Sequence, residues 1–199
     1  MQTASGSVQK LKALARELDT NVTMTPRHCE KVADYCVELC KAMEIRGKKR
    51  NIIVTAGLIH DIGKLPINPT LWIKKEKLSD SEWRTIQLHS VISARMAKEA
   101  GCDEKIVEAL YYHHVWYNGK GYPDIKKKGK RIPISARILA ICDAYDSMTS
   151  KRPYREPFSP ERAVEELLKY SIKQFDPVIV ETFIKVIEKK DNEITADID

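Results

Sequence analysis

The sequence has no Cys-x-x-Cys pair, although it contains five cysteines among its 199 residues. An odd number of cysteines without that spacing argues against both a disulfide framework and a thiolate zinc site. Cys36 and Cys40 lie one helical turn apart among apolar neighbours, which is typical of buried, reduced thiols. We therefore expect the cysteines to fill the core.

The sequence also lacks an apolar run of the roughly 18 to 20 residues that a membrane span needs. Residues 1–7 are polar and lack the apolar centre of a signal peptide. No internal repeat or low-complexity linker interrupts the chain. With 43% hydrophobic and 31% charged residues, these absences predict one soluble, cytoplasmic domain.

Negative charge is in deficit, and the formal net charge is +6. Much of the excess lies in the run from Lys126 to Arg131, which fits either a solvated loop or contact with an anionic partner. No recognised DNA- or RNA-binding motif accompanies it. We therefore expect no nucleic-acid partner.

Helical periodicity runs through almost the whole sequence and predicts an all-α bundle of about seven or eight helices. Thr25 and Pro26 are expected to start one helix, and Gly47 to end it. Ser79 with Glu82 forms a capping box, Asp103 is a cap, and Ser159 precedes Pro160 at another start. Residues 191–199 are expected to form a polar tail.

Histidine is scarce, and the five histidines are His28, His60, His89, His113 and His114. Four of them lie in or beside apolar helical faces. Adjacent residues on a helix point about 100° apart. One metal ion could take both His60 and Asp61, or the two oxygens of Asp61 could serve two ions. The pair His113-His114 diverges in the same way. Imidazole and carboxylate donors without cysteine favour iron, manganese, zinc, cobalt or nickel.

Lys64 follows His60 by one helical turn. Its ammonium could hold a substrate phosphate at the same opening. Alternatively, it is a surface lysine that the dipole of a helix C-terminus favours. Asp143 and Asp146, three residues apart on one predicted helix, could each reach a metal ion, or one could orient a histidine from behind.

In order and approximate spacing, a set of motifs across roughly residues 8–188 resembles the HD-GYP subgroup of the HD phosphohydrolase superfamily. The matching segments are His28 with Val32, HDIGK at 60–64, His89, HH at 113–114, GYP at 121–123, IPISARILAICDAYDSMTS at 132–150, RPYR at 152–155 and QFDP at 174–177. The resemblance implies an HD-domain helical bundle, with residues 1–25 as a leader helix packed on a catalytic domain at 26–190.

The resemblance also implies two divalent metal ions, iron or manganese before zinc, nickel or cobalt. The first ion would be held by His28, His60, Asp61 and Asp143, and the second by His89, His113 and His114 with Asp61 bridging. A hydroxide between them would hydrolyse cyclic di-GMP to pGpG, and then to GMP if a second step follows.

Substrate contacts carried over from the family are Lys64 on the scissile phosphate and Tyr122, Arg152 and Arg155 on the dinucleotide. A turn-packing role for Tyr122 is the alternative. Two other functions stay open: a cyclic di-GMP-binding signalling module with weak catalysis, and an enzyme for another cyclic dinucleotide or nucleotide. A homodimer, a diguanylate cyclase (GGDEF) partner and sensor-domain partners are further expectations, since the chain has no room for a sensor domain of its own.

The sequence departs from the family pattern after the histidine pair. Val115 replaces a glutamate, which removes a negative charge beside the metal-binding pair, and Asn118 replaces an acid. Met24 stands where some members place a glutamate that binds a third metal, and its thioether is a poor ligand for hard metals. We therefore expect two metal ions and not three.

Overall fold

The computed structural model describes residues 2–23, 25–152 and 156–196, and these residues form helices with no β-strand. The all-α prediction is confirmed. Two short 3-10 helices, Ile62–Lys64 and Gly129–Arg131, lie in the connections. The nine α-helices of the described residues are α1 Gln2–Asn21, α2 His28–Ala42, α3 Gly47–Ile59, α4 Thr70–Ile73, α5 Asp80–Glu99, α6 Glu104–Tyr112, α7 Ile134–Thr149, α8 Pro160–Lys169 and α9 Pro177–Ala196.

Three helix starts follow the capping signals of the sequence. The Ser79 hydroxyl accepts a hydrogen bond from Glu82 N, and the Glu82 carboxylate accepts one from Ser79 N, which completes the capping box. Asp103 caps α6 and Ser159 caps α8. Side-chain oxygens thus satisfy backbone N–H groups that have no partner inside the helix.

The predicted start of α2 is wrong by two residues. Arg27 adopts a left-handed conformation with φ 63°, and the helix begins at His28. The Thr25 hydroxyl bonds to the Thr23 hydroxyl at 2.7 Å and does not cap the helix. His28 therefore occupies the first turn, where its side chain points into the bundle.

The prediction that Gly47 ends α2 is also wrong, because Gly47 is the first residue of α3. The preceding helix stops at Ala42, and Gly47 takes the positive φ of 58° that glycine adopts without strain. At the other end of the chain, α9 continues to Ala196, so the helix extends into the segment predicted as a polar tail. An ion pair between Arg137 and Asp176 fixes the start of α9 against α7.

Helices α2, α3, α5, α6 and α7 surround one apolar core. Gly57 allows α3 to approach α2 closely: a Cβ there would lie 3.1 Å from the Ala33 Cα. Four of the cysteines are buried and all five are free thiols, as expected. Helix α1 packs against α2 and α3. Among the described residues, no helix combines the length and apolarity that crossing a bilayer requires.

Candidate metal centre

Two groups of three metal-binding side chains face each other inside the bundle. The first contains His28, His60 and Asp143, and the second His89, His113 and His114, with the donor atoms of each group within 4.8 Å of one another. Five of these six residues are histidines scattered over four helical segments, so only the fold brings them together. The described residues contain no other group of this kind.

Asp61 lies between the two groups. Its Oδ2 is 3.6 Å from His28 Nε2 and 3.4 Å from His60 Nε2, whereas its Oδ1 is 3.6 Å from His89 Nε2. The two oxygens of one carboxylate therefore face different groups. Of the two arrangements that the sequence left open for Asp61, this geometry favours the one in which it serves both ions.

Hydrogen bonds on the far side of the rings fix which nitrogen faces the cluster. His28 Nδ1 lies 2.6 Å from Asp146 Oδ2. Three further rings bond through Nδ1 to the carbonyl three residues earlier: His60 to Gly57, His89 to Ile86 and His113 to Leu110, at 2.7–2.9 Å. Since a carbonyl only accepts, the Nδ1 of these three rings carries a proton, and the Nε2 of each ring faces the cluster, where it offers a lone pair in the neutral form. His114 instead places its Nε2 3.0 Å from His89 Nε2.

The donor set fits divalent metal ions on one further observation. The Nε2 atoms of His28, His60 and His113 are buried and have no hydrogen-bond partner among the described residues. Those of His28 and His60 lie 3.3–3.7 Å from carboxylate oxygens of Asp61 and Asp143. For His113, a buried polar atom without a partner costs about 1–3 kcal/mol unless a ligand occupies the centre. Nitrogen and carboxylate donors of this kind suit iron, manganese, zinc, cobalt and nickel.

The first group and Asp61 hold strongly coupled charges in the metal-free protein. Burial alone would lower the pKa of His28, but the neighbouring carboxylates of Asp143 and Asp146 raise it to about 9. Burial would raise the pKa of Asp61, but the charges of His60 and Lys64 hold it well below its usual range. Asp61 and Asp143, whose pKa values both lie well below the usual range, are therefore ionised and are neutralised by protonated imidazoles and by Lys64.

The second group behaves in the opposite way. Burial, followed by the positive charge of neighbouring histidines, lowers the pKa of His113 to about 3. Burial likewise lowers the pKa of His89 to about 4, although Asp61 acts against it. These imidazoles stay neutral near pH 7, so their lone pairs are available without loss of a proton.

A cavity of about 510 Å³ opens onto the centre. Lys64 lies in its wall, forms an ion pair with Asp61, and places its ammonium 5.1 Å from the Trp72 ring centroid. Tyr122 also lines the cavity, and its ring packs on His114 with centroids 4.6 Å apart. The tyrosine thus both packs the turn and faces the opening.

Arg152 reaches the same cavity and donates a hydrogen bond to the Ser147 hydroxyl at 2.7 Å. That hydroxyl in turn donates to Asp143 Oδ1 at 3.2 Å. Arg155, the other arginine expected to bind substrate, lies outside the described residues, as does Met24 in the slot for a third metal. The expectation of two metal ions stays a prediction.

Two glycines allow the close approaches that build the site. A Cβ on Gly63 would lie 2.1 Å from the His89 carbonyl oxygen, so only glycine lets the 3-10 helix Ile62–Lys64 press against α5. Gly121 has φ 85°, and a Cβ there would lie 2.2 Å from the His114 carbonyl oxygen. The chain can therefore fold back and place Tyr122 on His114.

The departures at Val115 and Asn118 have structural roles away from the donors. Val115 is buried in a small apolar cluster with Ile132 and Ala136. The Asn118 side chain accepts a hydrogen bond from Lys120 N, and its backbone N–H donates to the Lys173 carbonyl. Both residues stabilise the turn that carries Tyr122.

Sequence reasoning missed several residues that support the site. The Ser93 hydroxyl donates to the His60 carbonyl at 2.6 Å and accepts from Gly63 N at 2.8 Å. Trp72 and Trp83 line the cavity. No periodicity marks Ser93 as different from other buried small residues. Ser147, one helical turn after Asp143, was recognisable from that spacing.

The comparisons with known proteins agree with this fold. A family model described as an HD domain matches residues 9–179. The chain is 30% identical, over 86% of its length, to a 3'3'-cGAMP-specific phosphodiesterase of Vibrio cholerae, and 32% identical, over 81%, to a cyclic di-GMP phosphodiesterase of Thermotoga maritima. It spans 33% and 44% of the lengths of these two proteins.

A solved structure from Bdellovibrio bacteriovorus, described as an HDGYP protein, superposes with a TM-score of 0.67 at 16% identity. The superposition covers 93% of this chain and 62% of that one, and it supports the fold alone. The family model extends over most of the sequence and includes the histidines and aspartates that meet in the structure. The chain therefore belongs to the HD-domain family.

Proposed function

We propose that the protein is a metal-dependent phosphodiesterase that opens cyclic di-GMP to the linear dinucleotide pGpG. The observation that carries this proposal is the position of Asp61, whose two oxygens face two separate groups of metal-binding side chains at the base of a cavity. Such a carboxylate is suited to hold a pair of metal ions close together.

The metal ions, iron or manganese before other metals, would be held by His28, His60, His89, His113, His114, Asp61 and Asp143. Held there, they would activate water and stabilise charge on the phosphoryl oxygens. The chain's own contribution is positioning. The Nδ1 hydrogen bonds fix the imidazole rings, and burial excludes bulk water from the donors.

Cationic side chains in the cavity fit a phosphodiester. The ammonium of Lys64 lies beside Asp61, where it can contact a non-bridging oxygen of the scissile phosphate. The guanidinium of Arg152 is suited to the second phosphate. A cavity of about 510 Å³ falls in the size range of small-molecule sites.

Cyclic di-GMP is the proposed substrate because relatives of that name match most of this chain. A mixed dinucleotide, 3'3'-cGAMP, is the second candidate, since relatives specific for it match at similar identity. The two differ in one base and share the reacting phosphodiester. Side chains around the bases, and not the metal-binding residues, must therefore separate them.

Metal analysis and product analysis together test the proposal. Protein purified without oxygen and loaded with ferrous iron or manganese should contain two metal ions per chain and convert cyclic di-GMP to pGpG, resolved by chromatography. GMP would appear later if a second cleavage follows. Asp61→Asn should abolish turnover, whereas Asp34→Asn, which removes an exposed carboxylate of α2, should not.

Three different outcomes would each contradict a different part of the proposal. Three tightly bound ions per chain would contradict the two-metal centre. Binding of cyclic di-GMP without turnover by the fully loaded protein would make it a binding module. Faster turnover of 3'3'-cGAMP than of cyclic di-GMP would transfer the assignment to that substrate.

A further inference from the structure

Trp83 is a large apolar side chain that is only half-buried although it lines the cavity over the metal centre. Its exposed fraction is 47%. It lies on α5 six residues before His89, roughly 9 Å along the helix axis, with Ile86 between them on the cavity wall. The indole thus stands near the mouth of the cavity, away from the metal-binding atoms.

An aromatic side chain faces it from the other side of the opening. The rings of Trp83 and Tyr122 lie 6.3 Å apart at 81°, so the edge of one meets the face of the other. Tyr122 is itself packed on His114. The mouth therefore has an aromatic lining, while the cations Lys64 and Arg152 lie in the same cavity.

We propose that Trp83 is a stacking platform for one nucleobase of the substrate and that it determines the preference for nucleotide diesters over diesters without bases. The inference rests on the proposed function. A substrate with an anionic phosphodiester and flat bases needs cationic contacts near the metal centre for the phosphodiester and an aromatic surface near the mouth of the cavity for a base. Indole presents a large apolar face at little cost in conformational entropy, and stacking tolerates any base because each has a π-face.

A purely structural role for Trp83 is also available. Trp83 is the fourth residue of α5, and Leu78 immediately precedes the cap Ser79, which are the positions of a hydrophobic staple. A staple needs an apolar side chain but not an aromatic one. Leucine at this position keeps the staple and removes the stacking face, so the two roles can be separated.

Four proteins make the test: wild type, Trp83→Leu, Trp83→Phe and the control Leu88→Ala. Leu88 lies on the same helix with 51% exposure and does not line the cavity. Each is assayed with cyclic di-GMP and with methyl p-nitrophenyl phosphate, a diester without nucleobases. Metal content and Tm are measured in parallel.

Trp83→Leu should raise KM for cyclic di-GMP about tenfold, as loss of one base stack does. Its kcat for cyclic di-GMP and its rate with methyl p-nitrophenyl phosphate should each change less than twofold. Its Tm should change by less than about 2 °C, as is usual for a surface substitution. Trp83→Phe should recover most of the KM, and Leu88→Ala should resemble wild type.

Equal losses on both diesters, or a Tm loss of several degrees in Trp83→Leu with normal KM in the protein that remains folded, would overturn the platform. If wild type hydrolyses neither diester, the proposed function fails. Calorimetric binding of cyclic di-GMP then tests Trp83 alone: about tenfold weaker binding by Trp83→Leu supports the platform, and equal or absent binding overturns it.

Discussion

Asp146 fixes the orientation and the tautomer of His28, the first residue of α2, although it does not belong to either group of metal-binding residues. Its Oδ2 lies 2.6 Å from His28 Nδ1, its Oδ1 accepts a hydrogen bond from Ser150 at 2.9 Å, and it is almost completely buried. Asp146→Asn keeps the shape and removes the anion. The amide can no longer stabilise positive charge on the ring or enforce the Nδ1–H tautomer.

Loss of such a partner typically weakens metal binding 10- to 100-fold, or about 1.4–2.7 kcal/mol. Proton competition modifies this value. The Asp143 and Asp146 carboxylates outweigh burial and raise the pKa of His28 to about 9, so a metal ion entering the wild type below that pH must displace a proton. With one anion removed, the pKa of His28 falls, so protons compete less with the metal ion in the variant than in the wild type.

The difference between wild type and Asp146→Asn should therefore be small at pH 6.5 and widen towards pH 8.5. Competition against a chelating dye with manganese gives both affinities at each pH. Asp34→Asn makes the same chemical change at an exposed position of α2 and should have no effect. A difference below threefold at pH 8.5, with an unchanged circular dichroism spectrum, would refute the role of Asp146.

Gly63→Ala should lower the free energy of unfolding by about 2 kcal/mol in denaturant titrations, because its Cβ would overlap the His89 carbonyl. Lys64→Met should reduce kcat about 100-fold without weakening metal binding, if its ammonium stabilises the reacting phosphate. The metal-free protein should be less stable at pH 9.5 than at pH 6.5 by an amount on the order of 3 kcal/mol. His28 has a folded pKa raised to about 9, so its contribution is complete below about 6.5 and is lost above 9; burial raises the pKa of Cys29 to about 12, which acts in the same direction. Equal unfolding midpoints at the two pH values would contradict this linkage.

Local signals predicted those parts of the fold in which the neighbouring residues decide the outcome. The Ser79 capping box and the Asp103 cap depend on side chains within three residues, and both formed. The start of α2 depends instead on a distant partner. His28 must lie where Asp146, 118 residues further along the chain, can reach it, and Arg27 adopts a left-handed conformation just before it.

The sequence predicted which residues belong to the candidate site better than it predicted how they are arranged in space. Scarce histidines on apolar faces marked the donors, and family motifs assigned them to two groups. The sequence left open whether Asp61 serves one ion or two, because helical spacing gives a direction for each side chain but not the distance to another helix. Likewise, Trp83 precedes the buried Ile86 by three residues, which is the spacing of one helical face, and only its 47% exposure separates it from the core.

Charge balance explains why Lys64 can have two roles in turn. Asp61, Asp143 and Asp146 bring three carboxylates to one buried place, and ionised carboxylates without partners are costly there. In the metal-free protein, protonated imidazoles and the Lys64 ammonium supply the compensation. Divalent ions held by the same donors would supply it instead, and Asp61 would no longer need the lysine. The ammonium would then be available to a phosphate in the cavity, so metal binding and substrate binding would be coupled through this one side chain.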